Sequence, residues 1–153
     1  MPLPTAVILL CLLVAPPAAA QISLAGARDL RFGAVALGIT TAVAPADPTR
    51  SGQFTLTGQA GLRVQIRLTL PNRLNGPSGA TMPISFQGSD AFIQETVTGS
   101  VADYFNPGAT KVFRFTTGNQ AIIRLGGQVA PGAAQVPGAY ANTVLATATV
   151  LSL

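Results

Sequence analysis

The chain has 153 residues, only 9% of them charged, with no histidine and a single cysteine. General bases, thiol nucleophiles and metal ligands are therefore scarce, and the composition points to no cofactor and no evident small-molecule substrate. The net charge of +4 and pI near 10.2 come from scattered arginines without a basic run; nucleic-acid proteins gather their cations on one face or helix, so no nucleic-acid partner is expected.

The opening "MPLPTAVILLCLLVAPPAAAQ" reads as a secretory signal. An apolar run from Ala6 to Ala15, too short for a comfortable membrane span of about 20 residues, leads to Pro16-Pro17 and the small residues Ala18 to Ala20. That order fits cleavage after Ala20, although the front end carries no Lys or Arg; the competing reading is an uncleaved anchor. Cys11 would leave with the peptide, and residues 21–153 would form one domain without cysteine, held by packing and sheet hydrogen bonds alone.

Downstream, strand patterns dominate. "QISLAGA" places Ile22 and Leu24 on one side. "DLRFGAVAL" predicts a first strand through Leu30 and Phe32, broken at Gly33. "GQFTLTGQAG" gives Phe54 and Leu56 one face and a turn from Gly58 to Gly61, and the next run, "LRVQIRLTL", is the clearest strand in the chain. Its Leu62, Val64, Ile66, Leu68 and Leu70 alternate with Arg63, Gln65, Arg67 and Thr69, a period of two that places all five apolar residues on one face. The two segments predict a hairpin. "TMPISFQG" offers Met82, Ile84 and Phe86, with Pro83 arguing for an edge or a strand start.

The stretch from Ser89 to Ala109 reads as one strand or two. "KVFRFTTG" supplies Phe113 and Phe115, and "QAIIRLGGQV" a strand that pauses at Gly126-Gly127. In "GAYANTVLATATVLSL", Val144, Ala146, Ala148 and Val150 recur at every second position with threonines between them, as in a half-buried strand. This last strand is expected to pair with the Gly-Gly strand before it. Seven or eight short strands with turns about every ten residues suit a β-sandwich or a barrel, which the pattern does not separate.

The acids Asp29, Asp47, Asp90, Glu95 and Asp103 sit beside turn residues or on expected solvent faces, so structural roles are expected for each. A hydrolase needs only two converging carboxylates, so composition does not exclude one. Arg63 and Arg67 project from one strand face about 13 Å apart. With Arg114 or Arg124 they suit a cationic stripe for an acidic glycan or membrane surface, or simply guard the sheet against aggregation.

The order "DLRFGAVAL", "SGQFTLTGQAGLRVQIRLTLP", "MPISF", "IIRLGGQV" and "PGAYANTVLATATV" resembles the bacterial secreted family known as domain of unknown function 4402, itself similar to spore-coat-U and fimbrial subunits. Phe32-Gly33, Gly58-x-x-Gly61, Leu125-Gly126-Gly127 and Gly138-x-Tyr140 carry the resemblance, over nearly all of the chain after residue 20. It implies an all-β, immunoglobulin-like antiparallel β-sandwich exported by a Gram-negative bacterium to periplasm or cell surface, with no catalytic residues to transfer. It also implies identical or related subunits and an export chaperone as partners, with Ile22, Leu24, Tyr140, Val144 and Val150 as an interface strand. The cysteine pair common in fimbrial subunits is absent, and the extension bearing Ile22 and Leu24 is short. That extension suits either donation to a neighbour or the subunit's own first strand. A monomeric secreted binding module, a small outer-membrane barrel and a secreted hydrolase are the alternatives; few aromatics speak against the barrel.

Overall fold

The computed structural model describes residues 21–152, so the readings of residues 1–20 as a cleaved signal and of Cys11 as part of it lie outside the described residues. Twelve strands account for the regular structure: β1 (Ser23–Arg28), β2 (Thr41–Val43), β3 (Gly52–Thr57), β4 (Arg63–Thr69), β5 (Arg73–Asn75), β6 (Thr81–Ser85), β7 (Ala91–Glu95), β8 (Asp103–Phe105), β9 (Lys111–Arg114), β10 (Gln120–Leu125), β11 (Gly127–Val129) and β12 (Leu145–Ser152). Apart from one 3₁₀ turn at Pro77–Gly79 there is no helix among the described residues. Every pairing is antiparallel, and the strands form sheets ordered β1-β3-β10-β7-β8, β2-β11-β6-β5 and β12-β4-β9.

The fold is an all-β sandwich. Alternation along β4 drives Val64, Ile66 and Leu68 inward; Val64 and Ile66 join Leu56 of β3, Ile93 of β7 and Ile123 of β10 from the facing sheet, and Leu68 joins Ala91 of β7 and Leu125 of β10. A second part of the core, Met82, Ile84 and Val129, is covered by Phe32 and Val35 from the segment after β1. On one flank the sandwich is closed by Lys111 of β9, whose ammonium lies 2.6 Å from Asp103 of β8 and over the Phe105 ring. On the other flank stand β1 and β12.

Twelve strands replace the expected seven or eight because short strands form where only connections were expected, β2 and β5, and because a bend cuts the Gly-Gly strand in two. Leu70 to Asn72 separate β4 from β5, and Gly126 separates β10 from β11. Gly126 is where the chain crosses between sheets: a Cβ there would stand 2.3 Å from the Val43 carbonyl, so only glycine fits the crossing. The uncertain Ser89–Ala109 stretch holds two strands, β7 and β8.

Four further expectations are corrected. The first strand is β1, upstream of "DLRFGAVAL"; Leu30 and Phe32 sit in an irregular segment turned by Gly33, whose φ is +72°. The segments around Gly58–Gly61 do not make a hairpin, because β3 and β4 lie in different sheets and the turn arches between them. Gly58 is pinned there by Phe115, whose ring atom would lie 2.6 Å from an added Cβ. Pro83 lies in the interior strand β6; its carbonyl accepts the Ala130 N–H at 3.1 Å just where β11 has ended, so its missing N–H interrupts no ladder. Lastly, β12 pairs with β4, not with the Gly-Gly strand, with Thr147 opposite Arg67 and Thr149 opposite Gln65.

Candidate functional site: an apolar cleft between two strand edges

Of the edge strands, β1 and β12 stand on the same flank of the sandwich. Among the described residues β1 pairs only with β3, and β12 only with β4. Although the two strands approach each other, neither forms a ladder along its outer side among the described residues, and an outer row of backbone N–H and C=O groups is a template for another extended segment.

The inward side chains of β12 explain why this flank is left partly open. Ala146 and Ala148 are small, and together with Val150 they remain only half-buried, whereas Val64 and Ile66 on the neighbouring strand are fully buried. Small residues let two sheets converge without filling the mouth between them.

Toward the start of β12 the mouth widens into a cleft of about 1360 Å³. One wall is the end of β1 and the segment through Leu30 and Phe32; the other is the chain from Gln135 to Val144; Phe54, Leu125 and Val129 lie at the bottom. The lining is mostly apolar, and Leu37 and Val136, on opposite walls, are 55% and 45% exposed.

Both walls are held by polar anchors. The guanidinium of Arg28, at the end of β1, donates to the Ser51 carbonyl at 2.8 Å and to the Ser51 hydroxyl at 3.0 Å. That strap fixes a loop built around Asp47, whose carboxylate accepts the Arg50 N–H at 2.8 Å, the Thr49 N–H at 2.9 Å and the Arg50 Nε at 2.9 Å. The Arg50 N–H first, then that of Thr49, holds the Asp47 carboxyl well below the usual carboxylate range. On the opposite wall the Tyr140 hydroxyl donates to the Val136 carbonyl at 2.6 Å and accepts from Gln135 Nε2 at 2.7 Å. Its ring lies against Gly76, where a Cβ would stand 2.3 Å away.

The five interface residues named from the sequence divide into two groups. Tyr140 and Val144 line the cleft, although both precede β12. Ile22, Leu24 and Val150 pack instead around the deeper core. Leu24 lies opposite Leu56 in the β1–β3 ladder, so in this structure the N-terminal segment serves as the chain's own first strand. Sequence reasoning missed the wall from Asp29 to Leu37: its spaced apolar residues imitate a strand, and only the positive φ of Gly33 and Gly38 turns it into a cover.

The acids converge on no shared site. Asp29 faces Arg31 at 3.7 Å, and Asp103, expected in a turn, lies in β8 against Lys111. Among the described residues no cluster of His, Cys, Asp or Glu is arranged to hold a metal ion, and no helix is long and apolar enough to cross a membrane. Of the arginine stripe, Arg63 and Arg114 stand directly opposite each other and Arg67 follows on β4, but Arg124 belongs to the other sheet and lies over the Phe92 ring. No family model matches the chain, and no curated protein matches it.

Proposed function

We propose that this is an exported structural or interaction protein, a pilin-like or surface-coat subunit that associates through β-strand edges. The observation that carries the reading is the apolar cleft between the end of β1 and the Gln135–Val144 chain, which runs on into the edge strand β12. An extended segment laid beside β12 would gain backbone hydrogen bonds along the edge and seat alternate side chains among Leu30, Phe54 and Leu125. Since Ile22 and Leu24 fill the chain's own core, the occupant would come from a second copy or related subunit, or from a chaperone during export.

The self-paired β1 also favours a second reading, a monomeric secreted or periplasmic binding module whose cleft takes a ligand of its own. Light scattering on residues 21–153, beside the Val144→Asp variant and a chain lacking Gln21 to Ala27, separates the two. Concentration-dependent oligomers abolished by Val144→Asp support edge association. A monomer at all concentrations favours the binding module and sinks the subunit reading. The truncated chain, deprived of Ile22 and Leu24, is expected to lose stability in either case.

A further inference from the structure

Three of this protein's nine cations, Arg63, Arg67 and Arg114, stand on one face of one sheet. Nine Lys and Arg against five Asp and Glu give the net +4. Every acid is engaged elsewhere: Asp29, Asp47 and Asp103 in ion pairs, Glu95 buried under backbone N–H groups, and Asp90 accepting the Gln87 N–H at 2.6 Å. Arg31, Arg50 and Lys111 are the cations of those pairs, Arg28 straps the Asp47 loop, and Arg124 lies over Phe92. That leaves Arg63, Arg67, Arg73 and Arg114 with none of these contacts; Arg63, Arg67 and Arg114 share the β12-β4-β9 sheet, and Arg73 lies on β5 of the β2-β11-β6-β5 sheet.

All four are exposed and have no ion-pair partner among the described residues. They stand on β4, β9 and the β5 strand that follows β4, and neither these strands nor β12 carries an acid. Arg63 and Arg114 are direct cross-strand partners. Like charges so placed, with Cβ atoms about 5 Å apart, repel and weaken a sheet. Arg67 follows about 13 Å along β4.

We infer that the outward face of the β12-β4-β9 sheet binds a linear acidic polysaccharide. A carboxylate set between Arg63 and Arg114 relieves their repulsion, and each guanidinium can take a carboxylate through two parallel hydrogen bonds. Gln65, Thr147 and Thr149 share this face in register and supply amide and hydroxyl groups for sugar hydroxyls between the charges. The face carries no aromatic ring, whereas single-stranded nucleic acid is held by stacking on aromatics. The exposed apolar residues of this face, Leu145 and Leu151 near the ends of β12 and Val112 opposite Gln65 on β9, are interspersed with arginine, glutamine and threonine, unlike the continuous patch that insertion into a bilayer needs. The inference is independent of the cleft, which opens between the end of β1 and the Gln135–Val144 chain and not on this face.

Binding of the purified protein to immobilised polygalacturonate tests it, with neutral dextran, single-stranded DNA and phosphatidylglycerol vesicles as comparisons. The expected result is retention on polygalacturonate but not on dextran, weakening steeply from about 50 to about 200 mM salt. Arg63→Gln/Arg67→Gln lowers the affinity on the order of tenfold or more and reduces the slope of log affinity against log salt by about two, one for each lost contact. Arg31→Gln/Arg50→Gln, which removes the same charge elsewhere, leaves the affinity within about twofold. Arg114→Gln alone reproduces part of the loss, and thermal melts confirm that each variant is folded. Equal losses in both double variants, no binding above dextran, or tighter binding to DNA or vesicles would overturn the assignment.

Discussion

The carboxylate of Glu95, at the end of β7, accepts the backbone N–H of Gly118, in the turn between β9 and β10, at 3.0 Å. The same carboxylate accepts the Thr116 N–H and, at 3.0 Å, the Thr116 hydroxyl. Glu95 is 6% exposed and has no cation beside it. A buried acid here acts as a clasp, tying a turn in one part of the sandwich to a strand in another.

Glu95→Ala is expected to destabilise the fold by about 3 kcal/mol, since several buried N–H groups lose their acceptor together. Urea titrations of the two proteins measure it. A loss below about 0.5 kcal/mol would show that water replaces the carboxylate, because surface substitutions fall in that range.

Stability should fall in acid. Burial on its own raises the pKa of Glu95, but the N–H groups of Thr116 and Gly118 outweigh it and hold the carboxyl below its ordinary value; Asp47 is lowered as well. A carboxyl depressed on folding contributes stability that is fully present above its unfolded pKa, about 4 for Asp and Glu. That contribution is lost as pH falls through the folded value. Urea midpoints should therefore be flat near neutrality and drop below about pH 4, with a shallower drop in Glu95→Gln.

Gly126→Ala is expected to cost about 1–3 kcal/mol or more, as overpacked sites do. An added Cβ would meet the Val43 carbonyl at 2.3 Å and the Pro45 nitrogen at 2.7 Å, both backbone atoms that cannot step aside alone. Gly61→Ala tests strain without contact, because nothing lies within 4 Å of its Cβ position while its φ is +86°. Thermal melts should rank Gly126→Ala as the more damaging.

Arg114→Glu should stabilise the sheet. It replaces a like-charge pair with an opposite-charge pair across β4 and β9, worth about 0.2–1 kcal/mol. The gain should shrink as salt screens the exposed charges. An unchanged melting temperature at low salt would mean that Arg63 and Arg114 already splay apart into solvent.

Tyr140→Phe keeps the ring against Gly76 but removes the hydroxyl bonded to Val136 and Gln135. A net loss of about 1 kcal/mol is expected, as for an ordinary hydrogen bond. Faster hydrogen exchange confined to residues 135–141 would show that the cleft wall loosens before the sandwich does.

The sequence by itself determined the all-β class, the β4 strand with its buried face, the alternation of β12 and the break at Gly126. Each is written in local spacing: a period of two selects a strand and its inner face, and paired glycines mark where a chain must bend. What local spacing does not contain is the partner of each strand. The turn at Gly58–Gly61 reads as a hairpin, yet Phe115 fills the space above Gly58 and sends β4 to the opposite sheet. Leu30 and Phe32 read as a strand, yet as a loop Leu30 packs over Leu68, Ala91 and Leu125 and Phe32 over Met82, Ile84 and Val129, and so they form a cleft wall. Whether Ile22 and Leu24 serve their own chain was undecided in the sequence, because an alternating segment fits any unpaired edge of the right register; the ladder with β3 decided it here. The same holds for the arginines, whose scatter along the chain concealed that antiparallel pairing sets Arg63 against Arg114 and gathers three arginines on one sheet face. Strand identity is a local property of the chain, whereas pairing, edges and charge patterns depend on contacts between residues far apart in sequence.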